Sequence, residues 1–112
     1  MAFRLVVSQT VAVPVQGRVP DESGRPTLFN FTLLCRRLPA SELKHAIDQT
    51  ERTVAEFLAS VVEGWEHVLD ADGKPVPFSA SALQQLLDIV GMATLCFQAY
   101  LEGCGARGKE KN

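Results

Sequence analysis

An excess of positive charge is missing from this sequence: 11 lysines and arginines stand against 13 aspartates and glutamates, for a net charge of -2. Without a basic face, no nucleic-acid partner is expected. Long apolar runs are missing too. None approaches the ~20 residues that a membrane-spanning helix needs, so no membrane partner is expected either. The opening MAFRLVVSQTVAVPV is rich in apolar residues, but Ser8, Gln9 and Thr10 interrupt it and its apolar residues alternate. That favours a strand over an export signal. Cysteine is scarce and odd in number, with 3 in the chain, and Cys35, Cys96 and Cys104 show no C-x-x-C spacing. A reducing, cytoplasmic setting is expected, where the sequon Asn30-Phe31-Thr32 meets no glycosylation machinery. No glycine-rich phosphate loop occurs. His45 and His67 are too far apart for an i,i+4 metal pair. No cofactor is expected.

What is present is a change of hydrophobic period. Phe3, Leu5, Val7, Val11, Val13 and Val15 alternate with polar residues such as Arg4, Ser8, Thr10 and Gln16, the pattern of a half-buried strand. Pro14 cannot donate to a ladder, so this strand belongs at an edge or a bulge. The turn-rich VPDESGRP, residues 19–26, leads to TLFNFTLLCR, with Phe29, Phe31, Leu33 and Cys35 on one face. The two strands read as an antiparallel hairpin.

Beyond residue 39 the period becomes helical. Leu43, Ile47, Thr50, Val54, Phe57, Val61 and Trp65 recur every three or four residues, widened by Ala46, Leu58 and Val62. This predicts one amphipathic helix from near Ala40 to near Trp65, with Ser41 as its N-cap. Lys44, Asp48, Arg52 and Glu56 form a solvated row of i,i+4 charges. Ser79 or Ser81 caps a short helix through Leu83, Leu86 and Leu87. Gly91 marks a break, and Met92, Leu95, Cys96, Ala99 and Tyr100 describe a last helix ended by Gly103 and Gly105. The expected fold is α+β: residues 1–38 as an antiparallel β-hairpin packed against about three helices in 39–104, with 105–112 as a loose tail. It is a single domain, as the length suggests.

The chemistry these residues offer is thin. D-A-D-G, Asp70 to Gly73, resembles part of a calcium loop, but with Gly73 at loop position six the first and twelfth positions fall on Val68 and Ser79. Both essential carboxylates are then lacking, and a tight turn explains the motif. Cys35 and Cys96 sit on apolar faces and read as inert core thiols, while Cys104, between two glycines, is expected to be exposed. A small thiol enzyme would need a thiolate of depressed pKa among the three. Arg36, Arg37, Arg107, Lys109 and Lys111 form no run long enough for nucleic acid and read as solvated charges. Neither catalytic nor metal-binding residues are expected. An interaction protein remains: a hairpin needs helices to cover it, and its open edges recruit other chains.

From residue 64 onward the chain resembles the tail assembly chaperones of long-tailed phages and prophages. The likeness rests on Gly64-Trp65 at the end of a helical stretch, on V-x-D-x-D-G-x-P-V-P-F-S at Val68 to Ser79, and on L-x-x-L-L-D at Leu83 to Asp88. Gly91, the A-Y-L-E of Ala99 to Glu102 and the closing Lys111-Asn112 complete it. Residues 1–38 fit more loosely. The resemblance implies a protein that acts without catalysis, binds the tape measure protein and helps recruit tail tube protein around it. It implies a homo-oligomer in the cytoplasm of a bacterial host, absent from the mature virion, in some cases with a longer frameshifted form. A different phage-encoded interaction protein, such as an inhibitor of a host defence complex, is the alternative. Val90 stands where the family often has proline, which predicts that the last two helices run closer to continuous.

The segment 64–79 carries the most specific expectation. Asp70 to Gly73 make a turn, and Pro75 and Pro77 hold the chain extended, since each fixes its own φ and biases its predecessor away from helix. Val76 then points opposite to the prolines, and Phe78 shares its side. Trp65 and Phe78 bracket a stiff loop that closes one end of the helices. Trp65, Pro75, Val76, Pro77 and Phe78 are the candidate partner-binding residues.

Overall fold

Two strands of equal length, β1 (Thr10–Pro20) and β2 (Pro26–Arg36), open the fold in the computed structural model, which describes residues 2–5, 8–49 and 51–106. The reversal between them is set by Asp21, whose Oδ1 accepts from the Ser23 and Arg25 N–H groups at 2.8 and 2.9 Å, a turn that a short acidic side chain makes locally. Register places Val13 opposite Leu33 and Val15 opposite Phe31. These four and Cys35 are buried, as alternation predicts. β1 is an edge strand, which accommodates Pro14.

The strand starts later than the alternation implies. Phe3 and Leu5 lie outside it, 77% and 94% exposed, and Val7 lies outside the described residues. Pairing stops where the partner ends: Thr10 faces Arg36, the last residue of β2, and one further rung joins the Arg37 N–H to the Gln9 carbonyl at 2.7 Å.

The single long helix expected over 40–65 is replaced by α1 (Ala40–Asp48), α2 (Val54–Val61) and a third strand, β3 (Val62–Glu66). Thr53 is responsible for the break. It is extended at φ -77° and ψ 161°, and its hydroxyl accepts from the Glu56 N–H at 3.1 Å, so it caps a new helix. α1 begins after Pro39 with no side-chain cap, which corrects the assignment of Ser41. The row Lys44, Asp48, Arg52, Glu56 is interrupted as well, because Arg52 stands in the break, its guanidinium 5.9 Å over the Phe57 ring. At Val62 the chain turns extended and β3 pairs antiparallel with β2, giving the sheet order β1-β2-β3. The sheet therefore draws on residues from both sides of position 38.

α3 (Ala80–Leu87) is capped by Ser79, whose hydroxyl accepts from the Ala82 N–H at 3.0 Å. α4 (Met92–Cys104) leaves α3 at 106°. The corner is Gly91, at φ +83°, a conformation that glycine adopts without strain. Near-continuity of the two helices, expected from Val90, is thus overturned: glycine bends the chain without a proline, and Val90 is fully exposed. α4 also runs through Gly103, and Gly105 caps it. The tail from Arg107 onward lies outside the described residues.

Among the described residues, four helices and three strands share one core, an α+β fold with the hairpin packed on helices. One sheet face, carrying Val13, Val15, Phe31, Leu33 and Cys35, is covered by α4, and α2 packs on α4 to complete the core. Tyr100 is 0% exposed and sets its ring edge-on to Phe57 at 5.6 Å. Its hydroxyl donates to the Arg36 carbonyl at 2.8 Å. No single helix among the described residues is long and apolar enough to cross a membrane.

Candidate functional site

Residues 64–79 begin at the sheet. Trp65 faces Leu33 in the β2–β3 register, so its indole lies on the covered side. His67 follows at φ +67°, turning the chain away from the sheet at a position where histidine is among the better-tolerated residues. A second, minimal hairpin then forms. Leu69 bridges Pro75, the Val76 N–H donates to the Val68 carbonyl at 2.8 Å, and the Asp70 N–H donates to Lys74 at 2.9 Å. Its turn is made by Asp70, whose Oδ1 accepts from the Asp72 and Lys74 N–H groups at 2.9 and 3.0 Å, and by Gly73 at φ +76°.

Of the two carboxylates that the motif would offer to calcium, that of Asp70 is therefore engaged in the turn. Among the described residues, no three His, Cys, Asp or Glu side chains gather as metal ligands. Millimolar calcium is expected to leave the melting temperature within about a degree of its metal-free value; a rise of several degrees would contradict this.

Past the turn, Pro75 and Pro77 are exposed while Val76 and Phe78 are half-buried, the alternation that two prolines in an extended segment impose. Three candidate residues meet. The Trp65 Nε1–H donates to the Val76 carbonyl at 2.8 Å, and the Trp65 and Phe78 rings stand edge-to-face at 5.1 Å and 87°, a geometry that aromatic quadrupoles favour. Pro75 and Pro77 are not drawn into this cluster. They stiffen the loop from its outer side.

The remaining candidates have structural partners. Arg37 donates to the Cys104 carbonyl at 3.0 Å and Arg36 to the Ser60 carbonyl at 3.4 Å, so both tie the sheet to helix ends. His45 sits near the end of α1, its ring 3.3 Å from the Gln49 side chain. Burial pushes the Cys35 thiol up to about 12 and the Cys96 thiol up to about 11, and it raises Cys104 as well. Cys104 is half-buried, not exposed as its glycine neighbours suggest, because α4 continues past Gly103. A nucleophilic thiol needs the opposite shift.

The consequence is an alkaline limit. An unfolded thiol ionises near 9.0 whereas Cys35 and Cys96 resist ionisation until about 12 and about 11. Folding therefore keeps these thiols protonated. Their stabilising contribution is complete below pH 9 and is lost as pH rises through 9 toward 12. The urea midpoint is expected to fall steadily above pH 9, and less steeply in a Cys35→Ala, Cys96→Ala double variant. A midpoint flat to pH 11 would contradict the burial of these thiols.

One surface feature has no counterpart in the sequence reading. α2 and α3 leave between them a groove of about 360 Å³ lined by Ala55, Ala59, Ala80, Leu83 and Leu87. Ala55 and Ala59 do follow an i,i+4 spacing, but one long helix through Trp65 gave no reason to set them opposite α3.

Set against known proteins, the chain matches no family model, no curated protein and no solved structure.

Proposed function

We propose that this chain is a tail assembly chaperone of a long-tailed phage or prophage. It acts without catalysis in the cytoplasm of the bacterial host, as a homo-oligomer. It holds the tape measure protein in solution and assists the addition of tail tube protein around it, and it is not retained in the mature virion. The observation that carries the binding part of this reading is the exposure of large apolar side chains: Leu28 of β2 at 78%, Ile47 of α1 at 51%, Leu69 of the small hairpin at 55% and Val90 of the turn before α4 at 100%.

The partner's chemistry agrees with that surface. A tape measure chain exposes repeated apolar helical stripes until the tube encloses it. Many copies of a small domain, each with modest affinity, cover such a chain better than one tight binder. The resemblance over residues 64–91 supplies the particular partner. The stapled loop of Trp65, Val76 and Phe78, stiffened by Pro75 and Pro77, is the surface assigned to it. Disruption of the gene in its own phage tests the reading. Heads should form and tails should be absent, with tails restored by the gene in trans; normal tails in the disrupted phage would overturn it.

A further inference from the structure

We propose that the groove between α2 and α3 receives the N-terminal segment, residues 2–5, of a second copy of this chain. The groove floor is Leu83 and Leu87, and its walls are the alanines Ala55, Ala59 and Ala80, small enough to admit another chain's side chains. Its two ionisable lining residues, Glu56 and Asp88, are both acidic. Negative charge continues beyond Glu56, where Asp48 and Glu51 flank a neighbouring hollow whose one cation is Arg52. An occupant should therefore be apolar and carry a cation.

The N-terminal segment has that composition. Phe3 and Leu5 are 77% and 94% exposed, and Arg4 stands between them, exposed as well. In an extended segment Phe3 and Leu5 share one side and Arg4 takes the other, so the two apolar groups enter the groove while the guanidinium reaches its acidic rim. Within one copy the segment does not fill its own groove, since Phe3 and Leu5 remain in solvent. The complement is a neighbour. Segment and groove are different patches of one surface, so the contact closes reciprocally into a two-fold dimer or runs head-to-tail into a ring or a spiral, and the sedimentation coefficient distinguishes the two.

This inference rests on the self-association in the proposed function and names its contact. Three proteins are compared by analytical ultracentrifugation: the full chain, the Phe3→Asp, Leu5→Asp variant and the Ala59→Arg variant. The last blocks the groove from an exposed helix position. Each change should raise the apparent Kd of association about a hundredfold, with the circular dichroism spectrum unchanged. Cross-linking locates the contact. A Leu5→Cys copy and an Ala59→Cys copy, both carrying Cys104→Ser, are mixed with oxidised glutathione, and a disulfide should join them across copies. If the full chain associates but both variants associate equally and no cross-link forms, the groove contact is overturned and self-association stands. A full chain that stays monomeric at high concentration overturns both.

Discussion

Replacing Tyr100 by alanine is expected to cost about 4 kcal/mol and to lower the melting temperature by roughly 15 °C. The ring is fully buried at the centre of the core, against Phe57 and beneath the sheet. Its removal leaves a cavity that α4 and β1, already packed together, cannot close. It also strips the donor from the Arg36 carbonyl, 2.8 Å away, where β2 ends. A domain of this size has about 5 to 15 kcal/mol to lose, so the variant gives up between roughly a quarter and four fifths of its stability. Tyr100→Phe separates the two contributions. It keeps the ring and removes only the hydroxyl, and should cost about 1 to 2 kcal/mol. Urea denaturation of both variants checks the pair, and equal losses would mean that packing of the ring contributes nothing beyond the hydrogen bond.

Trp65→Ala is expected to cost about 3 kcal/mol, the low end for a large aromatic because the indole is only half-buried. Three connections go at once: the edge-to-face contact with Phe78, the N–H donated to Val76, and packing against Leu33 and its neighbours. Trp65→Phe keeps part of the packing but leaves the Val76 carbonyl without its donor, for a loss of about 1 kcal/mol near solvent. A melting temperature unchanged in Trp65→Ala, with tape measure binding weakened, would instead make the indole a partner anchor with no structural role.

How much of this was legible follows from where local and long-range signals agree. In the hairpin they agree, and alternation alone picked out Val13, Val15, Phe31, Leu33 and Cys35. In residues 75–78 two prolines fixed the backbone, so the facing of Val76 and Phe78 followed from the chain's own geometry. They disagree between Ala40 and Trp65. Val61, Val62 and Trp65 sit at helical spacing from Phe57 and Leu58, and that stripe masks two local signs, the Thr53-x-x-Glu56 cap and a β-branched pair leading to Gly64. The free backbone of β2 decided the matter: a strand there gains a ladder that a helix could not offer. The groove between α2 and α3 depends on how two elements pack, and no spacing within either one records it. The burial of Cys104 is hidden for a related reason, since glycines at 103 and 105 mark a helix end locally but α4 continues through the first of them to reach Arg37.

The most direct test of the central claim is co-expression of the full chain with its proposed partner, a tape measure protein, followed by affinity capture of that partner. The expected result is a soluble tape measure that retains this chain in more than one copy, and an insoluble one when this chain is left out. A tape measure equally soluble with and without it, and captured free of it, would contradict the account.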